Sequence, residues 1–178
     1  MKIIQENIQS TIQELWREEK CPILNGVIYG TGKTVSMYMP SVPREVNVLL
    51  DLKEIERGEI DSFLKKKPDF ATSITQLGES FSNSNDLRAS CGEGSFGADG
   101  YVALSSIKDD RLIWIIFFDD SNPFIEVIFS GANIKALTTL DTEWTIPIDT
   151  PERMVVISGN PKGWNISQRR LSNSNNQA

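Results

Sequence analysis

Seven apolar residues in unbroken succession, Leu112-Ile113-Trp114-Ile115-Ile116-Phe117-Phe118, stand between Arg111 and Asp119. A strand with one wet face alternates apolar and polar side chains, so a run of this kind belongs to a strand covered on both faces. A buried helix is the competing assignment. The run is short, aromatic and β-branched, with turn-forming residues at both ends, and these features favour the strand. Whatever else the chain forms must supply two covers for this one element. Its 178 residues have the length of a single domain, which at this size buries roughly 70% of its unfolded surface and needs no disulfide staple.

Further strands are predicted on both sides of the run: Tyr101–Ile107 before it, then Phe124–Phe129, Ile134–Leu140 and Trp144–Ile148 after it. The links between them, Lys108-Asp109-Asp110-Arg111 and Asp119-Asp120-Ser121-Asn122-Pro123 among them, are short and rich in turn formers. Short links join antiparallel neighbours and leave no room for crossover helices, which argues against a doubly wound nucleotide-binding sheet. Glu45–Leu50 is a further strand candidate, and Met154–Ile157 another, following a short turn at Pro151-Glu152-Arg153.

Helices are expected at the start and in the middle of the chain. Ile4, Ile8, Ile12, Leu15 and Trp16 recur every three or four positions, which predicts a helix from Lys2 to about Glu19, ended by Pro22, with Trp16 as a core anchor. Asp51 is placed to cap a second helix carrying Leu52, Ile55, Ile60, Phe63 and Leu64, with Lys65-Lys66-Lys67 at the negative end of its dipole. Phe70, Ile74, Leu77 and Phe81 predict a third, over about Asp69–Phe81. Ser82–Asp86 and Gly92–Gly100 have loop compositions, and the second is dense enough in glycine to let backbone approach a ligand or partner closely. The expected fold is α+β: an antiparallel meander sheet of about five to seven strands packed with N-terminal and central helices. One domain is expected over residues 1–165, followed by a flexible polar tail over 166–178.

Gly30-Thr31-Gly32-Lys33-Thr34 resembles the end of a phosphate-binding P-loop, but the first glycine of that motif is replaced by Val27. After Thr34 the chain alternates through Val35, Met37 and Met39 to Pro40, so the stretch reads as a β-hairpin, Val27–Tyr29 and Lys33–Met39, turning over Gly30-Thr31-Gly32.

The chain contains no histidine, which removes Ser-His-Asp and Cys-His activation, the commonest general base and every imidazole metal site. Cys21 and Cys91 lack metal or redox spacing and read as reduced thiols. A net charge of −6 disfavours nucleic acid as a partner, because Lys and Arg contacts to phosphate supply most of that affinity. No apolar run approaches the roughly 20 residues of a membrane span, and the polar first residues lack a secretory signal pattern, so a cytoplasmic location is expected. The acidic pairs Asp109-Asp110 and Asp119-Asp120 fall at opposite ends of the central strand, roughly 25 Å apart at about 3.3 Å per residue, too far to share one site. Neither pair has the spacing of a calcium loop, and no metal or cofactor is expected.

Leu77-Gly78-Glu79-Ser80-Phe81-Ser82 ahead of a strand ending Phe117-Phe118-Asp119-Asp120 is similar in layout to bacterial immunity proteins, the small acidic partners of contact-dependent and other polymorphic toxins. The likeness covers residues 60–130 and rests on layout. It implies a non-catalytic protein that neutralises a toxin by masking a basic active-site surface, as a monomer or weak dimer. Independently of it, turn carboxylates are free to meet cations of a basic partner, and Glu93, Asp109, Asp110, Asp119 and Asp120 are the candidates for that face. The alternative is a small-molecule binder or an enzyme using a pocket beneath the Gly92–Gly100 loop, with Cys91, Glu93 or Tyr101 converging in it.

Overall fold

The apolar run is the middle strand of a seven-stranded antiparallel sheet and is buried on both faces. In the computed structural model, which describes residues 11–159, the strands are Lys20–Pro22 (β1), Gly26–Tyr29 (β2), Lys33–Tyr38 (β3), Leu49–Leu50 (β4), Lys53–Glu59 (β5), Ala71–Ser73 (β6), Thr75–Ser82 (β7), Leu87–Glu93 (β8), Gly100–Ser106 (β9), Leu112–Phe118 (β10), Phe124–Ser130 (β11), Asn133–Thr138 (β12), Glu143–Pro147 (β13) and Val155–Ile157 (β14). The helices are Thr11–Arg17 (α1) and Ile60–Lys66 (α2). The large sheet has the order β5-β3-β2-β10-β9-β8-β7, a second sheet the order β11-β12-β13-β14-β4, and β1 pairs with β6. Every pairing is antiparallel, and the fold is a mostly-sheet α+β fold.

Alternate residues of β10 serve two separate cores. Trp114, Ile116 and Phe118 point between the sheets, where they meet Val27, Val35 and Val102 beside them and Phe124, Ile134, Ala136, Trp144 and Ile146 opposite. Trp144 centres this layer, with ring centroids 5.4 Å from Phe118 and 5.1 Å from Phe124. Ile115 and Phe117 point the other way, with Ile28, Tyr101 and Ala103, beneath Ile12 and Trp16 of α1 and Ile60 of α2. Burying each of these large side chains stabilises the fold by roughly 1.5–3 kcal/mol before entropy is set against it.

Gln13 fixes α1 on this face. Its side-chain amide donates to the carbonyls of Leu112 (2.8 Å) and Gly30 (2.9 Å) and accepts from Leu112 N–H (2.9 Å). The pairing of β10 with β9 shifts register between Leu112 and Trp114, and this buried side chain satisfies the backbone at the irregularity.

The β2–β3 hairpin forms as its sequence predicts. The N-terminal helix is present over Thr11–Arg17; its predicted part before Thr11, like the polar tail over 166–178, lies outside the described residues. Three assignments change and two boundaries move. The helix expected from Asp51 is β5 up to Glu59 and becomes helical only at Ile60, ending, as expected, in Lys65, Lys66 and Lys67. Over Lys53–Glu59 no apolar face is buried, with Ile55 66% exposed, while the open edge of β3 offers a backbone ladder; the stripe reaches the helix-covered core only from Ile60 onward. The helix expected over Asp69–Phe81 is β6 and β7. There the 4-3-4 spacing arises by chance: Phe81 is 51% exposed, and β7 instead completes β8, returning through a short turn whose Asp86 takes φ 54°. Gly78 lets β7 come close to β11, since a Cβ there would lie 3.1 Å from both Cys91 Sγ and the Ile125 carbonyl oxygen. Third, the expected single meander divides. β9 and β10 stay in the large sheet, while the turn at Asp119–Pro123, with Asn122 at φ 66°, sends β11–β14 into the facing sheet. The strand expected over Glu45–Leu50 shortens to Leu49–Leu50, and Gly92 and Glu93 extend β8 instead of opening a loop.

Trp144→Ala should lower the unfolding free energy by about 3–5 kcal/mol in urea titrations, because it empties the centre of the inter-sheet core. Gln13→Ala should cost about 1–3 kcal/mol, the penalty of leaving buried backbone groups at Leu112 without partners.

Candidate functional site

The two ends of β10 differ in how their carboxylates are used. At the start, the β9–β10 turn is neutralised from within. Asp110, at φ 54°, pairs with Arg88 of β8, and its carbonyl accepts from Trp16 Nε1 at 2.9 Å. Asp109 lies 3.8 Å from Arg111 Nε and accepts from Arg111 N–H at 3.3 Å. The Ser106 hydroxyl and the Arg111 backbone N–H hold its carboxyl below the usual carboxylate value. Lys108 pairs with Asp86 at 2.8 Å.

At the other end the charge is unspent. Glu93 closes β8, and Asp119 and Asp120 follow β10; β9 lies between, so the two strand ends are about 10 Å apart, two strand spacings. Among the described residues, none of these three carboxylates has a cation within ion-pair distance. Asn25, just before β2, holds Asp119 in place: its Nδ2 donates to Asp119 Oδ1 at 2.9 Å, and its Oδ1 accepts from Asp119 N–H at 2.8 Å.

The glycine-rich loop, residues 94–99, spans the same end and is tied down at both sides. Ser95 N–H donates to Thr72 Oγ1 (3.1 Å) and Ser95 Oγ to the Ser73 carbonyl (3.3 Å), while Asn122 N–H donates to the Ala98 carbonyl (2.7 Å). Asp99 is fully buried beneath the loop, and its Oδ2 accepts from Phe96 N–H at 3.4 Å. Gly94 makes this possible, since a Cβ there would lie 2.1 Å from Asp99 Oδ2. The glycines therefore let the loop close over its own carboxylate. Phe96 is turned outward instead and is 64% exposed.

Of the five carboxylates singled out from sequence, the fold thus brings Glu93, Asp119 and Asp120 to one end and leaves Asp109 and Asp110 at the other. Cys91, Glu93 and Tyr101 do not share a pocket beneath the loop: Cys91 points into the inter-sheet core and Tyr101 into the helix-covered one. Both cysteines are free and buried. Burial, and then the Glu126 carboxylate, push the Cys91 thiol up to about 12 despite a backbone N–H from Gly78, so it is a poor nucleophile near neutral pH. Burial, then Asp99, likewise raise Cys21. Phe96, Asn25 and Asp99 were not singled out from sequence. An exposed aromatic in a glycine-rich loop was the one signal available for Phe96, whereas the roles of Asn25 and Asp99 depend on contacts between distant segments.

A second ionisable group lies past the other end of β2. Tyr29 Oη donates to Glu152 Oε2, Arg57 Nη2 reaches Glu152 Oε1 at 3.4 Å, and Arg57 also grips Glu54 through Nε (2.7 Å) and Nη2 (2.9 Å). Burial works to raise the Glu152 carboxyl, but the hydrogen bond from Tyr29 and the Arg57 contacts outweigh it and hold the group below its ordinary value of 4.5.

Among the described residues, no three carboxylates or thiols converge so as to hold a metal ion, and no helix is long and apolar enough to cross a membrane. No protein-family model matches the chain, and no curated protein has significant sequence similarity to it.

Glu152 carries a pH prediction. A carboxyl whose folded value is depressed contributes stability that is fully present above its unfolded value and is lost as pH falls through the folded one. Wild type should therefore lose stability in urea titrations between about pH 5 and pH 3, and Glu152→Gln should make that decline shallower while lowering stability at pH 7.

Proposed function

We propose that this chain is a non-catalytic binding module for a basic protein, acting in the cytoplasm in the manner of toxin-immunity proteins, which mask the cationic active surface of their partner. The observation that carries this reading is the contrast between the ends of the large sheet. Asp109 and Asp110 are matched by Arg111 and Arg88, whereas Glu93, Asp119 and Asp120 lie at the same end of the sheet as the loop carrying the exposed Phe96, with no cation of their own among the described residues.

Interfaces place aromatic anchors at the centre and polar groups at the rim, and opposite surface potentials raise association rates above the neutral range of roughly 10⁵–10⁶ M⁻¹s⁻¹. Phe96 with its acidic neighbours has that composition. The loop under Phe96 is pinned through Ser95 and Ala98, and Asp119 is pinned by Asn25, so little side-chain freedom is lost on docking. The chain's lack of histidine supports a role in occlusion over one in catalysis.

The test is an affinity pull-down from native cell extract at about 0.1 M and 0.5 M salt, followed by titration of the partner recovered. One stoichiometric basic protein is expected, toxic when freed and held less tightly at the higher salt. Phe96→Ala and the double reversal Glu93→Lys/Asp120→Lys should each weaken binding by about tenfold or more, while Asp109→Lys leaves it within about twofold. Absence of a basic partner at both salts, or one held equally by the double reversal, would overturn the reading.

A further inference from the structure

Where β2, β3 and β5 run side by side, at the end of β2 away from Asn25, the large sheet holds a cavity of about 460 Å³ lined by Tyr29, Thr31, Lys33, Val35, Arg57 and Glu59. The volume lies within the roughly 300–1,000 Å³ range of small-molecule sites. Tyr29 and Val35 give it an apolar wall, and Tyr29 is fixed through its hydrogen bond to Glu152. The Arg57 guanidinium that lines the cavity is already engaged with two carboxylates: it takes Glu54 through two nitrogens and reaches Glu152.

Lys33 is different. It is exposed, and among the described residues no carboxylate comes within ion-pair distance of it. Glu59 is its cross-strand partner in the β3–β5 ladder, yet the two side chains make no ion pair. The turn that precedes Lys33 has no phosphate cradle to offer. Gly30 N–H donates to the Ile113 carbonyl at 2.7 Å and Gly32 N–H to the Tyr29 carbonyl at 2.8 Å, so both glycine donors of the turn are turned inward to the sheet and do not form a run of free N–H groups. Recognition of an anion here falls to a single ammonium beside an apolar wall.

We propose that this cavity binds a small amphiphilic monoanion, an aromatic or acyl body lying on Tyr29 and Val35 with its carboxylate or sulfonate at Lys33. Glu59, across the ladder from Lys33, limits the affinity by repelling the same group. The site is at the other end of β2 from Asn25 and Asp119, so it stands or falls independently of the acidic face around Phe96.

The experiment is a titration of ¹⁵N-labelled full-length protein with 8-anilinonaphthalene-1-sulfonate and, in parallel, with the uncharged N-phenyl-1-naphthylamine. Saturable amide shifts are expected at residues 29–35 and 57–59 with both probes. Lys33→Met should weaken the sulfonate by about tenfold and leave the neutral probe within about twofold, whereas Glu59→Gln should tighten the sulfonate alone. Both positions are exposed, so both variants should keep the wild-type spectrum away from the site. Shifts that do not saturate or that centre elsewhere, or a Lys33→Met variant binding sulfonate as tightly as wild type, would overturn the proposal.

Discussion

A strand that is apolar on both faces cannot be left with either face in water, and the architecture follows from that requirement on β10. Trp114, Ile116 and Phe118 demand a layer on one side, which the second sheet supplies through Phe124, Ile134 and Trp144. Ile115 and Phe117 demand one on the other, which α1 and α2 supply through Ile12, Trp16 and Ile60. α2 spans only two turns, and a helix so short has little stability of its own. It is held by the surface it covers, and in α1 Gln13 adds a polar clamp where the β10 ladder is irregular.

This dependence explains which elements were legible in the sequence. β10, β9 and the β2–β3 hairpin carry their own evidence, in continuous apolar runs and a glycine turn, because their side chains are the core. β5 and β7 carry none. They form the two edges of the large sheet, where the deciding quantity is the unpaired backbone of β3 and β8. A helical spacing such as Phe70, Ile74, Leu77 and Phe81 predicts a helix only if a surface exists for that stripe to bury. Here Phe70, Leu77 and Phe81 stay 39%, 45% and 51% exposed. The division of the meander was likewise hidden, since a turn of Asp119–Pro123 composition leads equally well to a neighbouring strand or to a facing sheet.

Of the candidate site, residue types were legible and charge balance was not. Strand-end aspartates announce turns, and the sequence locates both pairs correctly at opposite ends of β10. Whether such a group is spent depends on what the fold brings beside it. Arg88 reaches Asp110 because β8 and β9 pair in register, with Arg88 opposite Ser105, a fact that no local pattern holds. Asn25 reaches Asp119 for the same kind of reason, through the pairing of Gly26 with Phe117.

The edges of the large sheet bear on where a partner can dock. An open edge invites strand addition, and β5 exposes its whole length. It also places Lys53, Glu54, Glu56, Arg57 and Glu59 along that edge, with Glu54 and Arg57 locked to each other, so an incoming strand would have to match a mixed-sign pattern and strip ion-paired groups of solvent. At the opposite edge, β11 comes close to β7 at Gly78. The loop end has neither obstacle. Its backbone donors at Ser95, Asp119 and Asn122 are satisfied internally, its carboxylates carry one sign, and Phe96 supplies apolar area that solvent already touches. Recognition at that end proceeds through side chains on a fixed frame and leaves the ladder of the large sheet undisturbed.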